Sequence, residues 1–223
     1  MAPSTDGTLL ETSALLLDMD GTLVDSDAVV ERVWRAWSAR QGLDPEYVLS
    51  VAHGQQAHLT MAQLLPDRPS ERNHAEGRAL LDQETGDTEG VVPVPGAPAF
   101  LRALHGLPHA LVTSASRDLA RARMTAAGLP MPATRITAED VSASKPDPEG
   151  FLKGAAEVGQ LPSDCVAFED SPAGIAAARA AGMRVVGVGH RAADLSPTVA
   201  VPDLSGVTVE PLPQGRIRLH LPA

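Results

Sequence analysis

The sequence predicts an α/β protein with a doubly wound parallel sheet and a small all-helical insert after the first strand. Short apolar runs alternate with helical patterns along the second half of the chain, which is typical of parallel sheets. The first apolar run, residues 15–17, ends in two aspartates, Asp18 and Asp20. Between residues 27 and 92 the spacing of apolar residues is helical, with no strand pattern.

Composition limits the classes of protein that remain. With 223 residues and 43% hydrophobic residues, the chain is long enough for one packed α/β domain with an insert. Its formal charge of −10 argues against nucleic acid as a partner, and no apolar run is long enough to span a membrane. No basic segment precedes an apolar core, so we expect no signal peptide and a cytoplasmic protein. Cys165, the only cysteine, lies in an apolar run and is expected to be buried.

The helical insert (residues 27–92) is predicted from side-chain spacing. Apolar side chains recur at helical intervals up to Trp34 and Trp37, which we interpret as core residues, and Gly42 is expected to end this helix. Further helices are predicted near residues 57–65 and 70–84. The expected domains are therefore a core of residues 1–26 and 93–223, and a helical domain of residues 27–92.

After the helical insert, strands and helices alternate. The predicted strands are residues 110–113, 133–137, 165–168 and 184–188. The predicted helices are residues 117–127, 148–158 and 172–181. Outside this alternation, we expect residues 1–12 to be a frayed end, residues 24–27 to cap the first helix, and residues 203–223 to form an edge strand or hairpin.

Acidic residues follow two of the predicted strands. Asp18 and Asp20 follow the first, and Glu169 and Asp170 follow the strand at residues 165–168. The carboxyl ends of parallel strands share one edge of the sheet, where open α/β proteins bind ligands. Asp18 and Asp20 suit a nucleophile with an acid–base partner, or two oxygen ligands of a hard cation. Glu169 and Asp170 also suit the positive end of the next helix. Four clustered carboxylates require a cation, and ligands that are all oxygen favour Mg²⁺.

Two further segments carry residues suited to phosphate. Ser114 and the Ala115 amide follow the strand at residues 110–113, where a turn into a helix can hold an anion or simply cap the helix. Lys145 precedes a proline, which holds its backbone extended. Its ammonium group can offset the carboxylates or lie solvated at the surface. The chain has only one other lysine, Lys153, and this scarcity favours a functional Lys145.

The ordered motifs resemble those of the haloacid dehalogenase-like superfamily. They are DMDGT at residues 18–22, TSAS at 113–116, SKPDP at 144–148 and FEDSPAG at 168–174. The resemblance spans about residues 14–189, and the helical insert resembles the small helical cap of this family. Residues 174–182 resemble the subgroup of sugar phosphatases and β-phosphoglucomutase. The resemblance implies a Mg²⁺-dependent phosphatase that hydrolyses small phosphate monoesters, above all sugar or sugar-alcohol phosphates.

The resemblance also implies a role for each motif residue. Asp18 becomes an aspartyl phosphate, and Asp20 protonates the leaving oxygen and then deprotonates water. The implied metal ligands are Asp18, Asp20 through its carbonyl, Glu169 and Asp170. The implied phosphate-binding residues are Ser114, Ala115 and Lys145, of which Lys145 also balances charge during catalysis. The cap is expected to close over the substrate about hinges at residues 24–26 and 92–95.

Residues 51–57, VAHGQQA, resemble the cap loop of sugar and polyol phosphatases. We expect sugar hydroxyls to be contacted by residues of this loop, namely His53, Gly54, Gln55 and Gln56. His53 equally suits an ordinary loop position. His58 and His74 are expected to be solvated helix positions.

Other functions fit the sequence less well. A β-phosphoglucomutase-type phosphotransferase carries a cap histidine where this chain has Val30, and a cap lysine, whereas the helical insert has none. The missing lysine also excludes a phosphonate hydrolase, and Asp20 argues against a dehalogenase. A non-catalytic module that binds phosphate esters normally lacks one of the motif residues, and all are present here. The sequence favours a monomer, leaves a dimer open, and does not select one sugar or polyol phosphate.

Overall fold

The computed structural model describes residues 7–52 and 55–222. Its strands are β1 (Thr8–Thr12), β2 (Ala14–Leu17), β3 (Val24–Asp25), β4 (Val92–Pro93), β5 (His109–Val112), β6 (Thr134–Ile136), β7 (Cys165–Glu169), β8 (Arg184–Val188), β9 (Val199–Val201), β10 (Thr208–Pro211) and β11 (Ile217–Leu221). Its α-helices are α1 (Asp27–Gln41), α2 (Pro45–Ala52), α3 (Ala57–Leu64), α4 (Ser70–Gly86), α5 (Ala97–Ala103), α6 (Arg117–Ala126), α7 (Glu149–Glu157), α8 (Pro172–Ala180) and α9 (Gly189–Ala193). None of these helices is both long and apolar enough to cross a membrane.

The main sheet has six parallel strands in the order β6-β5-β2-β7-β8-β9. Strand β2 lies at its centre, and all four of its residues are buried. Its side chains alternate between two apolar clusters: Leu15 and Leu17 join the one that contains Phe168, whereas Leu16 joins the one that contains Phe151. Both faces of the sheet are therefore covered, as parallel sheets require. The predicted α/β class and doubly wound sheet are confirmed.

The helical insert contains α1 to α4. Helix α1 ends at Gly42, whose φ of 68° is the left-handed conformation that glycine adopts without strain. Trp34 and Trp37 are buried edge to face with ring centroids 5.4 Å apart, which confirms their prediction as core residues. Helix α2 was missed by the sequence analysis. Antiparallel pairing of β3 with β4 brings the two ends of the insert together.

The expectation of a frayed end at residues 1–12 is wrong for the described part of that segment. Strand β1 pairs with β11, which forms a hairpin with β10, and the three strands make a separate antiparallel sheet. The hairpin predicted near the end of the chain is confirmed. Sequence spacing missed β1 because its partner lies at the opposite end of the chain. It also missed α5, α9 and β9, which are short.

Candidate active site

The chain turns sharply after β2, which brings Asp18 and Asp20 to the carboxyl edge of the sheet. Gly21 has a φ of 82°, a conformation that costs residues with a side chain. A Cβ atom at this position would also collide with the carboxylate of Asp170. Glycine is therefore required twice at this turn, for its backbone conformation and for the close approach of β2 to the end of β7.

Three carboxylates from β2 and β7 converge at this edge. Asp18, Glu169 and Asp170 each offer an oxygen, and these oxygens lie within 4.8 Å of one another. All three residues are buried. This carboxylate cluster (Asp18, Glu169 and Asp170) brings together three of the four acids predicted from the sequence. The fourth, Asp20, lies beside it with its side chain 30% exposed.

Lys145 connects two members of the carboxylate cluster. Its Nζ donates to Asp18 Oδ1 at 2.5 Å, to Glu169 Oε1 at 2.7 Å and to the carbonyl of Val112 at 3.1 Å. The residue is only 5% exposed, which rules out a solvated surface lysine. Burial alone would lower the pKa of Lys145, but the adjacent Asp18 and Glu169 raise it, so the ammonium stays charged.

The carboxylate cluster nevertheless carries more negative charge than Lys145 offsets. Burial, reinforced by Glu169, raises the pKa of Asp18 well above its usual range. Burial and Glu169 likewise raise the pKa of Asp170 to about 7, although Arg191 opposes the shift. Carboxylates held in this way bind protons or a metal ion. Because every ligand atom is a carboxylate oxygen, the donor set fits a hard divalent cation.

Glu169 is held more tightly than the other two acids. Its Oε2 accepts hydrogen bonds from the amides of Asp170 and Ser171 and from Ser171 Oγ. A Cβ atom at Gly174 would overlap the Glu169 carboxylate, so α8 can begin here only with glycine at that position. Glu169 therefore acts mainly on Lys145 and on the loop after β7, which leaves Asp18 and Asp170 better placed to bind a cation.

Asp20 has contacts that the sequence analysis did not foresee. Ser26 Oγ donates to Asp20 Oδ1 at 2.8 Å, and the guanidinium of Arg123 lies 2.7 Å from Asp20 Oδ2. The prediction that residues 24–27 cap the first helix is confirmed in position, because Ser26 is the N-cap of α1, but the side chain of Ser26 makes no capping hydrogen bond. The serine holds the Asp20 carboxylate instead.

The turn between β5 and α6 carries the residues predicted to bind phosphate. Ser114 and Ala115 line the cavity above the carboxylate cluster. The Ala115 amide donates to Thr113 Oγ1 at 3.0 Å, so a phosphate oxygen would share or replace that acceptor. Ser116 accepts a hydrogen bond from the Leu119 amide and is the residue of this turn that caps α6.

The cavity has a volume of about 370 Å³, which suits a small ligand. Asp18, Asp20 and Asp170 line it from the sheet edge. Residues of the helical insert line the opposite side, among them the apolar Val30, Trp34 and Leu81. We call the polar residues on this side the insert face, namely Gln55, Gln56, His58, His74 and Arg78. The predicted contacts His53 and Gly54 lie outside the described residues.

His74 is exposed, as the sequence analysis expected, whereas His58 is not a fully solvated position. Their rings stack with centroids 4.3 Å apart, and His58 is half-buried. Burial lowers the pKa of His58, and His74 lowers it further. The ring nitrogens of the pair give this side of the cavity groups that can form hydrogen bonds.

Two arginines near the site were missed by the sequence analysis. Arg123 joins Asp20 to Glu84 of α4, and Arg191 joins Asp170 to Asp27 of α1. Each therefore links a site carboxylate to the helical insert. The chain has 16 arginines, and neither pair is close in sequence, so no spacing signal distinguishes these two from the others.

Comparison with known proteins decides the family. The family model described as haloacid dehalogenase-like hydrolase matches residues 12–182. The chain belongs to this family. It is 43% identical over 181 residues to hexitol phosphatase A of Escherichia coli (strain K12), covering 80% of this chain and 84% of that protein. It is 36% identical over 190 residues to glycerol-1-phosphate phosphohydrolase 2 of Saccharomyces cerevisiae, covering 80% and 75% of the two chains.

Solved structures share the fold of this family member. The β-phosphoglucomutase of Clostridium difficile superimposes with a TM-score of 0.76 at 19% identity, covering 87% of this chain and 92% of that chain. The predicted resemblance to this superfamily is confirmed, and the likeness to the mutase is one of architecture.

Proposed function

We propose that this hydrolase is a Mg²⁺-dependent phosphatase that hydrolyses small phosphate monoesters, with sugar-alcohol or sugar phosphates as substrates. The observation that carries the proposal is the buried carboxylate cluster with Lys145, which opens into a cavity of about 370 Å³. Relatives named hexitol phosphatase and glycerol-1-phosphate phosphohydrolase support the substrate class. We further propose that it acts in the cytoplasm as a monomer, on a small molecule rather than nucleic acid or a membrane.

Asp18 is proposed as the nucleophile. One carboxylate oxygen attacks phosphorus while the bond from phosphorus to the ester oxygen breaks, which leaves an aspartyl phosphate and an alkoxide. Asp20 gives its proton to that oxygen, so the alcohol leaves neutral. In the second step Asp20 takes a proton from water, the hydroxyl attacks phosphorus, and Asp18 is released as a carboxylate with inorganic phosphate.

The other site residues position charge for these steps. Lys145 stays protonated between Asp18 and Glu169 and limits repulsion when the anionic phosphate arrives. Ser114 and the Ala115 amide are proposed to hold phosphate oxygens. Asp18, Asp170, the Asp20 carbonyl and Glu169 are proposed to hold Mg²⁺. When bound, this ion supplies the positive charge that the carboxylate cluster and the phosphate lack.

The helical insert, residues 27–92, is proposed to act as a cap over the core of residues 1–26 and 93–223. The insert face places amides, imidazoles and a guanidinium opposite the carboxylate cluster. Such groups bind hydroxyls and exclude bulk water when the site is closed. His53 and Gly54 are proposed as further contacts of the same loop.

The test is phosphate release from a panel of sugar, polyol and nucleotide monophosphates, with Mg²⁺ and with EDTA. We expect release only with the cation, and faster release from hexitol, glycerol and sugar phosphates than from nucleotides. Release that is unaffected by EDTA would contradict the metal requirement. If no ester is hydrolysed, the phosphatase proposal is wrong, and conversion of β-glucose 1-phosphate would be assayed for mutase activity.

A further inference from the structure

Arg123 is a buried cation that lies outside the sequence motifs. It lies on α6, behind the turn that carries Ser114, and is only 3% exposed. An arginine removed from water in this way must be paired, because an unpaired buried charge is costly. Its Nε has no hydrogen-bond partner among the described residues, so its terminal nitrogens make the pairs that hold it.

The two partners of Arg123 come from different parts of the molecule. One terminal nitrogen lies 2.7 Å from Asp20 Oδ2, on the turn after β2. The other donates at 2.6 Å to Glu84 Oε2, near the end of α4 in the helical insert. Burial raises the pKa of Glu84, and Arg123 and Asp20 act on it in opposite directions. The guanidinium therefore depends on a carboxylate from each side of the cavity.

Both oxygens of Asp20 are engaged by these contacts. Ser26 Oγ holds Oδ1, and Arg123 holds Oδ2. An acid–base group works only when it lies within hydrogen-bond reach of the atom that gains or loses the proton. Arg123 thus fixes the direction of the Asp20 carboxylate, to which Lys145 does not donate.

Arg191 makes a similar link but is less buried. It connects Asp170 to Asp27 of α1, with distances of 2.9 Å to each. The side chain of Arg191 is 27% exposed and that of Asp27 is 41% exposed, whereas the side chains of Arg123 and Glu84 are 4% and 11% exposed. Ion pairs in water contribute little, and buried ones fix geometry more strongly. The Arg123 link is therefore the stronger constraint.

We propose that Arg123 is a positioning residue that holds Asp20 for proton transfer, and that Glu84 makes this positioning depend on the helical insert lying against the core. Helix α4 packs on α6, so the link forms when the insert covers the cavity. The inference rests on the proposed function. It adds that cap closure and alignment of the acid–base group are one event, connected through a single guanidinium.

The test compares leaving groups. An alkyl alcohol needs a proton to leave, whereas p-nitrophenolate leaves without one. We expect Arg123→Met to lower kcat/KM for glycerol phosphate by about 100-fold, the scale of general acid catalysis. The loss of kcat/KM for p-nitrophenyl phosphate should be smaller than the loss for glycerol phosphate by a factor of at least about ten, because its leaving group makes no use of the acid. Arg123→Lys keeps the cation and should restore part of the alkyl activity.

Two further variants separate positioning from folding. Arg121 lies on the same helix and is exposed, so Arg121→Met should leave kcat/KM for both esters unchanged. Glu84→Gln retains the shape of the side chain. Introduced into the parent, it should lower the ratio of kcat/KM for glycerol phosphate to kcat/KM for p-nitrophenyl phosphate. Introduced into Arg123→Met, it should not lower this ratio further. This variant tests the link even if Arg123→Met fails to fold.

The results distinguish failure of the proposed function, of the role of Arg123 and of its link to the helical insert. A parent protein that hydrolyses neither ester with Mg²⁺ overturns the proposed function and this inference with it. The parent protein could instead be active while Arg123→Met and Glu84→Gln lower kcat/KM for the two esters equally, or for neither. That result overturns the inference and leaves the proposed function in place. If Glu84→Gln lowers the ratio of alkyl to aryl kcat/KM further in the Arg123→Met background, the two residues act independently. That result overturns the link to the helical insert.

Discussion

The two sides of the cavity are built in different ways. The carboxylate cluster and Lys145 are buried, and each of these four side chains is held by a hydrogen bond or an ion pair. The polar residues of the insert face are half-buried or exposed, and apolar residues such as Val30 and Leu81 line the cavity beside them. A fixed charge arrangement suits one chemical step, whereas a looser surface can vary without harming the fold. We therefore propose that the sheet edge determines the reaction and that the insert face selects the substrate.

Asp18→Asn is expected to have the largest effect on the sheet-edge side of this comparison. Removing a covalent nucleophile typically lowers kcat on the order of 10⁴-fold or more. The substitution retains the shape of the side chain, so circular dichroism should match that of the parent. The matched control is Asp118→Asn, an exposed aspartate of α6. Turnover by Asp18→Asn at the parent rate would show that another residue is the nucleophile.

Lys145→Gln is expected to affect both activity and stability. Removing one partner of a buried ionic network leaves Asp18 and Glu169 uncompensated, which costs on the order of 3–5 kcal/mol of unfolding free energy. Loss of a charge that stabilises the transition state should lower kcat on the order of 10²–10³-fold. Lys153, the only other lysine, is exposed and provides the control Lys153→Gln. Equal unfolding free energies for the two variants would contradict the structural role of Lys145.

Asp170→Asn should separate stability from function. The folded-state pKa of about 7 lies above the ordinary value of 3.8, so the cation-free folded protein holds a proton that the unfolded chain has lost. Its stability therefore falls as pH rises from about 4 to 7 and stays lower above that range. Asp170→Asn removes this penalty. It should raise the melting temperature in EDTA at pH 8 by several degrees and weaken Mg²⁺ binding at least about tenfold.

Calorimetry in EDTA at pH 5 and pH 8 checks the sign of this effect. The ionisation of Asp170 should make the parent more stable at pH 5 than at pH 8. This difference in stability between the two pH values should be smaller in Asp170→Asn. Titration calorimetry with Mg²⁺ alone measures the cation affinity. A variant that melts below the parent at pH 8 in EDTA would contradict the pKa argument, since the asparagine amide retains an acceptor for Arg191.

Changes on the insert face should have the smallest effects. Gln56→Ala and His58→Ala each remove one hydrogen-bonding group, which is worth about 0.5–1.5 kcal/mol, or roughly 2- to 12-fold in discrimination between substrates. KM and the ranking of sugar and polyol phosphates should change, while kcat for p-nitrophenyl phosphate stays near the parent value. Gln63→Ala, on the exposed surface of α3, is the control. If either variant changed kcat for p-nitrophenyl phosphate as much as Lys145→Gln does, the assignment of the reaction to the sheet edge and of substrate preference to the insert face would be contradicted.

The same contrast explains what the sequence could predict. Asp18, Glu169 and Asp170 end apolar strands, and topology alone brings strand ends together, so their convergence followed from local pattern. Arg123 and Glu84 are 39 residues apart and belong to helices, so their pairing depends on how the insert packs on the core. The same holds for the stacked His58 and His74 and for β1, whose partners are distant in sequence.

Asp18 is proposed to carry the phosphoryl group, and Asp20→Asn offers the most direct test of that role. With p-nitrophenyl phosphate and Mg²⁺, this variant should still load Asp18, because the phenolate leaves without a proton. It should then hydrolyse the adduct slowly, because water activation needs Asp20. Mass spectrometry of the acid-quenched protein should place one phosphoryl group on the peptide that contains Asp18, and none in Asp18→Asn/Asp20→Asn. A phosphoryl group on another residue, or steady phosphate release by the double variant, would contradict the claim.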